Sequence, residues 1–393
     1  MSGFEERARA YEGDLRQLAA MTRESASEGE RRAAEWLAGR FRARGVAARV
    51  EEERAHGGYW WPIALLNAGA AATALGALRR RRMRAAAAAA GAFAASALWD
   101  DMGGGSQWFR RSALPSRGTW NVVGEVGEGE RTIVLIAHHD AAHSGLVFHP
   151  KLPRFFPDRF PELHERTTQT APIMYLTWLG PVLTALGGAL ARRGLLRAGA
   201  ALALGTVAAM LDIARSDVVP GANDNLSSVA VLLAIADALR ERPLPGVRVI
   251  LLSTGSEESF MEGMRGFARR HFTDLPRERT LLLCLECVGG PRLIVLEGEG
   301  MLRMRHYPEH MREALAAAAA RAGVEIGRGL RTVAATDALI ALRAGYNVAQ
   351  LASVDYTNFP ANYHWPSDTA DNLDWETIGK AIAVTEEFVR GQG

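Results

Sequence analysis

The sequence predicts an α/β protein, with a central mixed sheet covered by helices on both faces and two apolar helical hairpins inserted into it. Three observations carry this. Short apolar runs of strand length alternate with amphipathic helical stretches over most of the chain, the pattern of a sheet buried on both sides. Two long blocks rich in Ala, Leu and Gly interrupt that alternation. Finally, 393 residues, 48% hydrophobic and 23% charged, are enough to bury a full core, which excludes disorder as an overall description.

The first helix with a clear start follows Ser27. Glu30 completes a capping box, and Ala34, Leu37, Ala38 and Phe41 recur at helical spacing until Gly45 ends the helix. Residues 46–52 then read as a strand, and further strands are expected at 120–126, 132–137, 247–253, 280–288, 293–297 and 347–352. Helices are expected at 225–242, 307–322, 337–344 and 373–390. No internal repeat is visible.

The first inserted block, residues 59–99, is two apolar stretches separated by Arg79, Arg80, Arg81, Arg82, Met83 and Arg84. The second, residues 171–213, is again two stretches, with Arg192, Arg193 and Arg197 near its middle. Each has the form of a helical hairpin. Stretches 60–78 and 171–190 carry no charge and approach the roughly 20 residues that span a bilayer, whereas the returning arms are shorter and alanine-rich. The expectation is a four-helix unit embedded in a membrane. A soluble four-helix lid is the alternative, because helices apolar all round also occur buried in protein. Both turns are arginine-rich, so the positive-inside rule puts them in the cytoplasm and the rest of the chain on the outer face. Trp60, Trp61 and Trp99 fall where interfacial aromatics belong. Against this orientation, no secretory signal starts the sequence and residues 1–58 would have to cross ahead of the first helix, which leaves a cytoplasmic location as the alternative. The chain accordingly divides into a main domain in three parts, residues 1–58, 116–143 and 218–393, with insertions at 59–115 and 144–217.

Lys+Arg 46 against Asp+Glu 44 leaves a formal charge of +2, too near balance for a general phosphate-binding surface, and no nucleic-acid partner is expected. Two cysteines exclude a disulfide scaffold. Cys284 and Cys287 have CxxC spacing but lie in an apolar run, where cysteines act as small hydrophobes.

Chemistry-bearing residues gather in five places. His138-His139-Asp140 follows the strand at 132–137, where α/β folds place their sites. Gly221-Ala222-Asn223-Asp224-Asn225 precedes a helix, and Asp224 taken alone is equally an N-cap. Glu257 and Glu258 follow a very apolar strand, and adjacent buried acids need compensating positive charge. Glu286 is the only charge between Thr280 and Arg292. His364 sits in Asn362-Tyr363-His364-Trp365-Pro366-Ser367-Asp368, taken alone a surface loop. Together, two histidines and three carboxylates at separate strand ends and loops form the N/O donor set of zinc or a similar divalent ion. Competing motifs are missing: His164-Glu165 lacks the second histidine of a zincin, and there is no nucleophile elbow or phosphate loop.

In that order, His-x-Asp, Gly-Ala-x-Asp-Asn, Glu-Glu, a strand acid and Tyr-His resemble the two-zinc aminopeptidase family that includes bacterial leucyl aminopeptidases, aminopeptidase Y and the glutamate carboxypeptidases. The resemblance covers the chain outside the two hairpins. It implies the zinc-exopeptidase type of sheet and two zinc ions, or other divalent metals. Asp224 would bridge them, with His138 and Glu286 on one ion, Glu258 and His364 on the other, Glu257 as general base and Asp140 holding the ring of His138. Glu286 departs from the family, which more often has Asp there. The implied activity is hydrolysis of a peptide substrate by a metal-activated water, as an aminopeptidase. A carboxypeptidase or amidohydrolase on the same centre is the alternative, as is a non-catalytic receptor-like module of the same fold. The last should have lost ligands, and here all five positions and Glu257 carry workable chemistry. Nothing in the sequence reports the oligomeric state.

Overall fold

The computed structural model describes all 393 residues. Ten strands form: β1 (Ala47–Ala55), β2 (Arg117–Val126), β3 (Arg131–His138), β4 (Val247–Thr254), β5 (Thr280–Glu286), β6 (Arg292–Val295), β7 (Gly298–Glu299), β8 (Arg305–His306), β9 (Arg331–Thr332) and β10 (Asn347–Val354). Seven build one sheet in the order β1-β2-β4-β3-β5-β10-β6, and β8-β7-β9 make a small second one. The sheet is mixed. Its centre, β4-β3-β5-β10, is parallel, while β1 and β2 on one side and β6 on the other run antiparallel to their neighbours. The expected strands all form, with ends shifted by a few residues. At 280–288 the strand stops at Glu286, because Cys287 takes φ 51° and turns the chain away.

Before the sheet and its first strand come α1 (Gly3–Arg9), α2 (Glu12–Ala19) and α3 (Glu28–Ala43). Between β1 and β2 lie α4 (Trp60–Arg79), α5 (Arg84–Met102) and α6 (Trp108–Ala113). Between β3 and β4 lie α7 (Lys151–Arg159), α8 (Pro161–Glu165), α9 (Met174–Ala189), α10 (Arg193–Ile213) and α11 (Ser227–Glu241). The chain then adds α12 (Glu262–His271), α13 (Glu309–Arg321), α14 (Asp337–Arg343) and α15 (Trp375–Arg390). Apolar residues of α1, α2, α3, α11, α13 and α15 share one core with one face of the sheet, and those of α12 and α14 share another with the opposite face.

Helices α4 and α5, and α9 and α10, each run out and back, and the two pairs pack together. Small residues let the backbones touch: a Cβ at Gly188 would lie 2.5 Å from the nitrogen of Ala88, and one at Gly91 would lie 2.5 Å from that of Ala185. Near the sheet, Trp60, Leu98, Met102, Met210 and Ile213 of this unit merge with the core under α12 and α14. Farther out, Ala74, Ala77, Ala87, Leu196 and Ala200 form a separate cluster. Two of the helices are long and apolar enough to cross a membrane by length and composition: Trp60–Arg79, 20 residues at mean hydropathy 1.4, and Arg193–Ile213, 21 residues at 1.6. The second corrects the expectation that 171–190 would be the longer arm. There the helix has 16 residues, because Thr168 and Thr170 are drawn into backbone pairing with Arg331, and Ala191 at φ 55° ends it.

Candidate metal centre

Parallel neighbouring strands present their carboxyl ends side by side, and the singled-out residues occupy those ends. His138 is the last residue of β3, Glu286 the last of β5, Glu257 and Glu258 follow β4, and His364 lies in the loop after β10. Asp224 occupies the turn Ala222–Leu226 that leads into α11. The Asn225 side chain fixes this turn to the end of β5, donating to Leu285 O at 3.0 Å and accepting from Cys287 N–H at 2.9 Å. Ser256, Cys287 and His364, all at the centre, have positive φ of 49°, 51° and 49°. Such strained non-glycine positions concentrate at functional sites.

The structure brings every one of the predicted residues together. Asp224 divides its carboxylate, with Oδ1 3.2 Å from His138 Nε2 and Oδ2 3.3 Å from His364 Nε2. Glu286 Oε1 is 3.5 Å from His138 Nε2, and Glu258 Oε2 is 3.1 Å from His364 Nε2. Atoms able to ligate a metal therefore form the groups His138, Asp224, Glu286 and Asp224, Glu258, His364, each within 4.8 Å, with Asp224 in both. Glu257, whose carboxylate makes no hydrogen bond within the chain, lies 4.0 Å from His138 Nε2 and forms a third such group with His138 and Glu258.

Electrostatically the centre is a largely buried cluster of acids. Burial raises the carboxyl groups of Glu257, Glu258 and Glu286 above their ordinary values. Burial also opposes the Asp224 carboxylate, but the facing His138 and His364 rings hold it below the usual range. For His364 burial opposes the charged ring, yet Glu258 and Asp224 raise it to about 10. His138 Nε2, both ring nitrogens of His364 and Glu258 Oε1 are buried without a hydrogen-bond partner. Orphaned donor atoms facing a buried excess of acids are what a divalent cation satisfies, so the residues fit the expected group.

Supporting residues explain the placement. Asp140, fully buried, faces His138 Nδ1 at 3.3 Å and accepts from the backbone N–H groups of Glu257 at 3.1 Å and Glu258 at 3.2 Å. Asp368 takes the N–H groups of Asn223 at 2.7 Å and Asp224 at 3.1 Å. Arg23, the buried cation nearby, gives its donors to the carbonyls of Leu18, Met21, His139 and Pro220, and so holds the loops without pairing an acid. Arg110 binds Asp101 through Nε–Oδ1 at 3.0 Å and Nη2–Oδ2 at 2.9 Å and donates to Ser259 O at 2.8 Å, which ties the end of α5 to the loop carrying Glu257.

The capping box needs correction. Ser27 Oγ does accept from Glu30 N–H at 3.2 Å, but the Glu30 carboxylate takes Ala26 N–H and then crosses to Thr119 Oγ1 at 2.6 Å and Ser256 N–H at 3.0 Å. The start of α3 is buried beneath β2 and the Glu257 loop, whose donors are closer. Glycine is required at 255, where a Cβ would sit 2.4 Å from Glu30 Oε1. Cys284 and Cys287 are free and buried.

Some lining residues carry no sequence signal because they come from the insertions. The Tyr59 ring stacks on Phe260 at 5.3 Å, Phe148 meets His364 edge-on at 4.5 Å, and His149 meets Trp365 at 4.9 Å.

The family model of peptidase family M28 matches residues 206–389. Among curated proteins, no sequence matches. Solved structures share the fold across the chain. A glutaminyl cyclase from Tannerella forsythia is 14% identical with TM-score 0.57, over 99% of both chains. A leucine aminopeptidase precursor from Bacteroides thetaiotaomicron is 14% identical with TM-score 0.56, over 99% of this chain and 97% of that one. A Zn-dependent exopeptidase from Parabacteroides distasonis is 13% identical with TM-score 0.55, over 98% and 97%. The stretch that carries Asp224, Glu257, Glu258, Glu286 and His364 thus matches peptidase family M28, on a fold shared with zinc-dependent exopeptidases and glutaminyl cyclases, and the resemblance read from the motif order stands.

Proposed function

We propose that the chain is a metal-dependent exopeptidase, and within that class an aminopeptidase working with two zinc ions. The observation that carries this is the division of Asp224 between His138 and His364, each in its own trio of ligand atoms. His138 and Glu286 would hold one ion, Glu258 and His364 the other, with Asp224 shared. Such ions, when bound, lower the pKa of a coordinated water and polarise a carbonyl. Glu257, free of internal hydrogen bonds and made more basic by burial, would take a proton from the water as its oxygen adds to the scissile carbonyl carbon, and give that proton to the amine nitrogen as the C–N bond breaks. Asp140 keeps its backbone in place while fixing the His138 ring.

A second reading is cyclisation of an N-terminal glutaminyl residue, favoured by the fold shared with glutaminyl cyclases. One experiment separates the readings: metal analysis of the purified protein together with a panel of free, N-blocked and N-glutaminyl peptides. Metal-dependent release of the first residue from free peptides supports the aminopeptidase. Release from the other end points to a carboxypeptidase, ammonia without shortening to a cyclase, and no turnover at full metal loading to a binding module. In Asp224→Ala, an unchanged metal stoichiometry would sink the two-ion assignment.

We further propose that the four-helix unit is embedded in a membrane, with its arginine-rich turns in the cytoplasm and the catalytic domain on the outer face. The two long apolar helices and the glycine-lined contacts support this. Recovery of monodisperse protein without detergent would refute it, and protease accessibility in intact cells against inverted vesicles tests the orientation.

A further inference from the structure

The segment between His143 and Met174 leaves the sheet and returns to start α9, and both its ends are fixed at the sheet-side end of the four-helix unit. Leu146 N–H donates to the Asp212 carboxylate, in the last turn of α10, at 2.6 Å. Ile173 leads directly into α9. Between these points α7 and α8 lie on the surface. Leu152, Phe155 and Phe156 on α7, Phe160 between the two helices and Leu163 on α8 are all exposed, Phe155 to 70%. Lys151, Arg154, Arg159 and Arg166 are interspersed with Asp158, Glu162 and Glu165, and the Arg159 guanidinium lies 5.3 Å from the centre of the Phe160 ring. Polar contacts hold the segment to the domain: Tyr356 Oη donates to Asp158 Oδ1 at 3.1 Å, and His164 Nε2 lies 2.9 Å from Tyr356 O.

So many exposed large apolar side chains within residues 152–163 mark a surface that something else covers. Its level in the molecule identifies what. At the same end of the four-helix unit, Trp61 and Trp99 are 45% and 46% exposed, and Ile173 and Leu176 extend the apolar surface onto α9. A bilayer holding the unit has its headgroup region at that level, where amphipathic helices with basic flanks lie flat, apolar side down. The same stretch of chain walls the metal centre. Phe148, two residues beyond Leu146, meets His364, and His149 meets Trp365, immediately before α7 begins.

We propose that α7 and α8 lie in the bilayer interface and hold the mouth of the metal centre at that surface, so that the preferred substrate is a peptide terminus presented by a membrane-bound apolar or amphipathic peptide. This rests on the membrane-embedded reading of the four-helix unit, and the experiment keeps the two apart. The full chain is reconstituted in vesicles containing anionic lipid, and Phe155→Cys is spin-labelled, Cys284 and Cys287 being buried. Collisions with oxygen should dominate over those with a water-soluble nickel chelate; the reverse order in embedded protein overturns the proposal while leaving the membrane reading intact. Protein that stays soluble without detergent removes both. In turnover, combining Leu152→Ser, Phe155→Ser, Phe160→Ser and Leu163→Ser should lower kcat/KM for a vesicle-bound peptide by about tenfold or more, in line with the loss of interfacial apolar area. A short soluble peptide should be cleaved as before. Equal losses on both peptides, or none on either, also overturn it.

Discussion

Asp140 Oδ1 lies 3.1 Å from the backbone nitrogen of Glu257, and the same carboxylate faces His138 Nδ1. One buried acid therefore orients a metal-facing ring on β3 and seats the loop that follows β4. Replacing Asp140 by Ala leaves the two loop N–H groups unsatisfied and the ring with only the backbone carbonyl of residue 140, 3.3 Å from His138 Nδ1. Metal affinity should fall by about 10- to 100-fold, and kcat should remain low when metal is restored to saturation. Full recovery of kcat with excess metal would show that Asp140 serves the histidine alone.

Glu257→Gln keeps the shape of the side chain and removes its capacity to accept a proton. Since the carboxylate has no hydrogen bond within the chain, nothing structural is lost. Turnover should drop by roughly 10²- to 10⁴-fold at unchanged metal content and thermal midpoint. Near-normal turnover in this variant removes Glu257 from the mechanism.

Arg110 and Asp101 have side chains only 0% and 3% exposed. Arg110→Met strands a buried carboxylate and should destabilise the protein by about 3–5 kcal/mol, read from denaturant unfolding. Adding Asp101→Leu removes the stranded charge, so the double variant should be more stable than the single one. A double variant that is worse than Arg110→Met contradicts the ion-pair account.

Gly188→Val tests the four-helix packing. The added Cβ would meet backbone atoms of α5, so α5 and α9 must separate. Gly194, whose Cβ would meet nothing within 4 Å, is the control position. The thermal midpoint should fall for Gly188→Val and hold for Gly194→Ala; equal midpoints would mean the two helices do not pack this way.

Glu299, buried and accepting from Tyr307 Oη at 2.7 Å and Thr336 N–H at 2.7 Å, is pushed by burial from 4.5 to about 8. The folded chain therefore holds this proton more tightly than the unfolded chain, and the contribution present below pH 4.5 is lost as pH rises toward 8. The slope is at most about 1.4 kcal/mol per pH unit. Glu299→Gln should flatten it, so the stability of the variant relative to the natural chain improves from acid to neutral pH. Parallel stability curves would refute this.

The sheet strands were readable because a strand covered on both faces must be a continuous apolar run, as residues 132–137 are. The candidate site residues were readable only as a set: Asp224 alone is equally an N-cap and His364 alone a surface loop, and it is their order along the chain with His138, Glu257, Glu258 and Glu286 that points to a shared metal. What supports them was not readable. Arg23 reaches His139 O across 116 positions, Glu30 reaches Ser256 across 226, and partners so distant leave no local spacing to read. The place of β4 was equally invisible, since strand order is decided by long-range pairing. In the second insertion the charge-free run 171–190 matches the helix end at Ala189 but starts three residues early, because nothing local announces that Thr170 pairs with Arg331.

That β4 lies between β2 and β3 also sets an order of events during synthesis. A ribosome delivers β2, β3 and all four hairpin helices before it reaches Val247. Until then the inner edges of β2 and β3 have no permanent neighbour, while α4, α5, α9 and α10 already have one another to pack against. The helical unit can therefore assemble on the nascent chain, and closure of the sheet waits for a strand that must enter between two already made. Late entry of this kind is slow and leaves strand edges open to aggregation until β4 follows the second hairpin out of the ribosome.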